Sequence, residues 1–161
     1  MLVDFQQALA DLVADPALCL RLRRDPQAVR GRYVLTDQEW SRLRGMAEHD
    51  GMSAACTVYR MNRLSPLAMN LHDTLHALGP ALGPTLADYW RAHPRGIPHF
   101  QLESRRFCDF LRMRAAEGHA VSVPVQAALA LEAKGVDEAL AASMGGVTTA
   151  GREGRRSTLT R

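Results

Sequence analysis

Apolar residues recur at three- and four-residue intervals along most of this chain, the period of helices that bury one face. "VDFQQALADLVA" places Val3, Leu9, Leu12 and Val13 near one side. "DPAL" and "RDPQAV" each set an aspartate before a proline, pairing a helix cap with a first turn. In "LTDQEW", Thr36 and Glu39 stand at capping-box spacing, which predicts a helix from Thr36 to His49 that Asp50-Gly51 ends. A longer helical stretch follows, with Leu64, Leu67, Ala68, Leu71, Leu75 and Leu78 in register and a break expected at Ser65-Pro66. Gly79-Pro80 and Gly83-Pro84 punctuate the chain before a helix in "TLADYWRAH", and "HPRGIPHF" reads as a loop. "FQLESRRFCDFLRMRAAEG" is amphipathic, with Phe100, Phe107, Phe110 and Leu111 on the apolar side and Gly118 as its stop. Two short helices, "VPVQAALALEAKG" and "VDEALAASM", close the folded part. Only "HAVSV" could be a strand, and one strand makes no sheet. The expected fold is all-α: a compact multi-helix domain with a disordered basic C-terminal tail.

Composition narrows the function classes. At 161 residues and 47% hydrophobic, the chain can bury one sizeable core, or a small one with appendages. It has no apolar run of the roughly 18 residues that would suggest a membrane span. The N-terminus carries Asp4 within an amphipathic pattern and does not read as a secretory signal, so a cytoplasmic protein is expected. Cys19, Cys56 and Cys108 are far apart and form no C-x-x-C. They read as buried small hydrophobes, not as a disulfide framework or a structural zinc site.

The net charge of +3 changes the picture less than it promises. Arg152, Arg155, Arg156 and Arg161 against Glu153 account for all of it, and residues 1–144 hold equal numbers of basic and acidic groups. Local arginine clusters at residues 21–32 and 91–114 then read as solvated helix faces, and a nucleic-acid role is not expected. The tail "GGVTTAGREGRRSTLTR" lacks a hydrophobic period and reads as disordered.

One motif invites a metal. "HDTLH" places His72 and His76 one helical turn apart, close to the H-E-x-x-H spacing of zinc hydrolases. Asp73 is one methylene shorter than the glutamate such a site uses as base, and spacing identifies no third ligand. Both histidines border the Leu71–Leu75–Leu78 stripe, so the structural reading is preferred. No G-x-S-x-G, P-loop or dinucleotide fingerprint is present, and no catalytic or cofactor-binding residue is assigned.

Two stretches resemble known families. "LADLVADPALCLRLRRDPQAVRGRYVLTDQEWSRL" resembles the small LigA-like helical module, known from small subunits of ring-opening dioxygenases and from leaders and accessory proteins of ribosomal-peptide pathways. Residues 56–112 resemble the N-terminal helical domain of the HvfC-like family, long labelled putative DNA-binding. The resemblance rests on "VYRMN", a Gly-bounded break, a helix ending in "YWRAHP", a proline-containing loop and "RFCDFL". It implies a noncatalytic partner, without a cofactor of its own, that docks on a multinuclear iron-dependent oxidase and presents a ribosomally made precursor peptide. The matching positions imply a partner-binding set of Tyr59, Arg60, Asn62, Arg63, Trp90, His93, Phe100, Glu103 and Phe107. Tyr59, Trp90, Phe100 and Phe107 could equally be core, while Arg60, Asn62, Arg63 and Glu103 could cap helices or pair internally. Family members continue into a second domain thought to hold the peptide as an added strand, and here no such sheet can be placed. The expected organisation is a LigA-like module over 1–50, an HvfC-like domain over 51–144 and the tail over 145–161. A dioxygenase small subunit and a DNA-binding regulator are the alternative functions.

Overall fold

A computed structural model describes the backbone of residues 2–153 and the side chains of residues 3–143. The helices are α1 (Leu2–Ala14), α2 (Pro16–Arg24), α3 (Gln27–Arg30), α4 (Asp37–Glu48), α5 (Asp50–Asn70), α6 (His72–Leu78), α7 (Leu82–Ala92), α8 (Phe100–Ala116) and α9 (Val123–Glu153). A 3-10 turn over Gly79–Ala81 precedes α7. The fold is all-α, and the described residues contain no strand. None of their helices is long and apolar enough to cross a membrane. The tail expected over 145–161 lies outside the described residues, in its side chains throughout and in its backbone from residue 154.

The chain divides into two compact units. Unit 1 comprises Met1–Ser65 with Gly83–Gly96, and unit 2 comprises Pro66–Leu82 with Ile97–Arg161. Residues 1–50 lie wholly in unit 1, whereas residues 51–144 are shared between the two.

In unit 1, α1, α2 and α4 pack on one another and α3 packs on α2. Ala8, Leu12, Leu18, Leu22, Val29, Trp40, Leu43 and Ala47 form the core, joined by Cys19, Met52 and Cys56. Helices α2 and α4 start as their sequences require, whereas α3 starts at Gln27 with Pro26, and not Asp25, in the cap position. Asp15 caps α2, its carboxylate accepting the Ala17 amide at 2.9 Å. Thr36 and Glu39 form the complete reciprocal capping box of α4. The Thr36 amide, as the main cause, and the Thr36 hydroxyl both donate to Glu39 Oε2 and hold that carboxyl below its usual range. Asp50-Gly51 does not open a loop. His49 is the only residue between α4 and α5, and its Nδ1 accepts the Gly51 amide at 3.0 Å.

In unit 2, α9 packs against both α6 and α8. Leu67, Leu71, Phe107, Cys108, Leu111, Val125 and Ala133 are almost wholly buried. Three expectations are corrected. Helix α5 continues through Pro66 and ends instead at Asn70. The carbonyl that loses its helical donor to this proline belongs to exposed Asn62, where water can serve it. The Pro66 carbonyl itself takes side-chain bonds from Asn70 Nδ2 at 2.9 Å and Ser104 Oγ at 3.0 Å. "HAVSV" is irregular through Ser122, with Val123 already in α9. The two short helices expected after it are one, because Gly135 costs a helix only about 1 kcal/mol and the buried side of α9 carries on through Val136. Gly118 does stop α8, at φ +83°.

The start of α6 has no cap on its own segment. Glu132 of α9 supplies it, Oε1 accepting the Asp73 amide at 2.8 Å and Oε2 the Thr74 amide at 2.9 Å. Replacing Glu132 by alanine should therefore destabilise the protein by about 1–2 kcal/mol. Glu132→Gln, which keeps one acceptor oxygen, should fall between the two in urea unfolding. Equal stability of all three would show that the cap is dispensable.

Candidate functional site

The nine residues put forward for partner binding fall into two groups. Tyr59, Arg60, Asn62, Arg63, Trp90 and His93 belong to unit 1, and Phe100, Glu103 and Phe107 to unit 2.

In unit 1, α5 carries Tyr59 and Arg63 one turn apart, and both engage the end of α7 and the loop that follows. Arg63 is only 4% exposed. Its Nη1 donates to the His93 carbonyl at 2.7 Å and the Pro94 carbonyl at 3.2 Å. These carbonyls lie just past the C-terminus of α7, where unpaired acceptors and the negative end of the helix dipole favour a cation. The guanidinium also lies over the Tyr89 ring at 5.2 Å, and the His93 ring leans on the same tyrosine at 5.3 Å. Tyr59 Oη accepts the Gly96 amide at 2.7 Å. Gly96 has a steric reason to be glycine. A Cβ there would stand 3.0 Å from Arg63 Cγ and 3.1 Å from its Cδ, within a side chain already fixed at its far end. Arg60, one turn before Arg63, stacks over Trp90 with its guanidinium carbon 4.9 Å from the ring centre. Asn62 is exposed on α5.

In unit 2, the candidates mostly serve the interior. Phe107 is fully buried and stacks with Phe110 at 6.2 Å. Glu103 is also fully buried, its Oε2 accepting the Ile97 amide at 2.8 Å and a bond from Arg106 Nη2. Phe100 is 43% exposed. Of these three, only Phe100 offers surface to a partner. Glu103 and Phe107 hold α8 and the residues just before it, because a wholly buried carboxylate must spend its lone pairs on internal donors.

His72 and His76 are both exposed on α6. Among the described residues no group of three or more histidine, cysteine, aspartate or glutamate side chains is placed to hold a metal ion. All three cysteines are free and buried. Burial pushes the Cys108 thiol up to about 12 and raises that of Cys56 as well, so neither carries the thiolate a nucleophile needs near neutral pH.

The motif pointed to Tyr59, Arg60, Arg63, Trp90 and His93, and these converge at one helical junction. Tyr89, though within "YWRAHP", and Gly96 were not among the residues singled out. The signal for Gly96 was present in "PRGIP", a glycine flanked by turn residues beside a required close approach. The role of Glu132 had no local signal, since its amide partners lie 58 and 59 positions away. No protein-family model matches the sequence, and neither does any curated protein or solved structure.

Two outcomes follow from this geometry. Arg63→Met should cost about 2–3 kcal/mol, since two carbonyls lose a charged donor, and Gly96→Ala about 1–3 kcal/mol by overpacking the same side chain. The double variant should cost clearly less than the sum, because methionine can yield to the new methyl, and urea unfolding of the four proteins measures this. Full additivity would mean that the two residues do not meet. Separately, iodoacetamide at pH 8 should leave Cys56 and Cys108 unlabelled until denaturant is added, with both labelled in the unfolded chain. Fast labelling of the native protein, read by mass spectrometry, would contradict the burial of these thiols.

Proposed function

We propose that this chain is a noncatalytic partner subunit, acting in the cytoplasm, that docks on an iron-dependent peptide-modifying oxidase and helps present a ribosomally made precursor peptide. The observation that supports the reading is the meeting of the two sequence segments that carry the HvfC-like resemblance. "VYRMN" with the Arg63 that follows it on α5 and "YWRAHP" at the end of α7 lie some 30 residues apart, yet interlock through Arg63 with the His93 and Pro94 carbonyls and through Arg60 with Trp90. The two stretches thus form one physical junction. Around it, Asn62 is exposed while Tyr59, Arg60, Trp90 and His93 are partly so. Tyrosine, tryptophan and arginine are the types that most often anchor interfaces. Iron and its redox chemistry belong, in this reading, to the partner.

Co-expression with an iron-dependent oxidase encoded near it in its own genome, followed by size-exclusion chromatography, tests this. A stable heterodimer is expected with the full-length chain and with a version truncated after Met144. Separate elution of both versions would overturn the pairing. A complex lost only on truncation would move the interface from the helical body to the tail.

A further inference from the structure

Beside the junction in unit 1 lies a cleft of about 270 Å³ whose walls include Asp15, Arg21, Arg60, Trp90, Arg91 and Pro94. It is at or below the small end of ligand pockets, with room for one or two side chains and not for a large cofactor. Its charge is lopsided. Arg21, Arg60 and Arg91 stand against one acid, Asp15, whose carboxylate already accepts the Ala17 amide. Arg91 pairs with Asp88 at 2.6 Å on the solvent side, and Asp88 does not line the cleft. Arg21 is exposed and makes no ion pair among the described residues.

Two lining side chains hold unused donors. Arg60 Nε and Trp90 Nε1 are both buried without an acceptor among the described residues. Stacking uses the face of the Arg60 guanidinium and leaves its N–H edges, the part that grips a carboxylate. Buried donors in native proteins are nearly always paired, so two together in a basic cleft describe a site lacking its acceptor. The remaining wall is apolar: three alanines, Pro94 and the Trp90 ring. A free phosphate would leave that wall uncovered.

We infer that this cleft takes a peptide segment in which an aspartate or glutamate side chain neighbours an apolar one, the carboxylate lying among Arg21, Arg60 and Arg91 and the apolar group against Trp90 and Pro94. The site goes beyond the proposed function, because it concerns the chemistry of the segment bound and stands whether or not its owner is an oxidase.

The test is a nuclear magnetic resonance titration of the full chain with an N-acetylated, C-amidated hexapeptide of alternating glutamate and leucine. The Trp90 indole N–H and the Arg60 Nε–H should shift and saturate with a Kd on the order of 100 µM. The glutamine–leucine counterpart should leave both resonances in place. Arg21→Gln with Arg91→Gln, both exposed positions whose replacement leaves the core intact, should weaken binding about tenfold. Absence of shifts, an equal response to the glutamine peptide, or shifts confined to surfaces away from the cleft would overturn the inference. So would inorganic phosphate moving the same resonances at lower concentration than the peptide, which would make this a small-anion site.

Discussion

Unit 1 is organised around the problem of burying the Arg63 guanidinium. An isolated cation taken out of water costs several kcal/mol even after relaxation, so the surroundings of a residue that is 4% exposed must answer for it. They do so in three ways at once. Helix α7 stops where the His93 and Pro94 carbonyls can accept from Nη1. Tyr89 offers its ring face, and residue 96 has no side chain. Each answer constrains the others. A helix one turn longer would carry the carbonyls away, and a β-carbon at 96 would push the aliphatic stem off its path. The polar junction therefore fixes the end of α7 and the course of the following loop more tightly than apolar packing could, because hydrogen bonds are directional and the hydrophobic effect is not.

Unit 2 solves the mirror-image problem with carboxylates. Glu132 takes two amides at the start of α6, and Glu103 takes the Ile97 amide just before α8. In both units a charged side chain from one helix satisfies orphan backbone groups at the end of another segment, with the sign that the helix dipole favours at α6 and α7. Surface ion pairs contribute far less. Arg105 bridges α8 to α9 through Asp137, but both partners are about two-fifths exposed and screened by solvent.

What the sequence makes legible follows from the range of each interaction. The capping box of α4, the Asp15 cap of α2 and the glycine stop of α8 are set by residues two or three apart, or by one residue's backbone, and each is found where expected. Pro66 and Gly135 were misleading because a local propensity of about 1–3 kcal/mol is outweighed when tertiary contacts hold the helix on both sides of it. The all-α class was legible because the helical period persists through most of the chain. The candidate site was legible in part. The motif pointed to the right junction, but the distinction between Glu103 or Phe107, sealed in the interior, and Trp90, partly open, depends on which face each helix turns inward. That is a property of packing. No spacing rule within one segment contains it.

Arg60 and Arg63 show the limit most clearly. They sit one turn apart on the same helix, and each stacks on an aromatic ring of α7. The ring beneath Arg63 belongs to a tyrosine next to terminal carbonyls, so the guanidinium finds acceptors and becomes part of the framework. The ring beneath Arg60 belongs to a tryptophan, whose one polar atom is itself a donor. Two donors set face to face cannot satisfy each other, whatever their distance. An arginine whose guanidinium donates to internal carbonyls is structural. One stacked on an indole keeps its charge and its donors for an acceptor that must come from outside, and that difference in partner, not in residue type, separates the framework of unit 1 from its reactive surface.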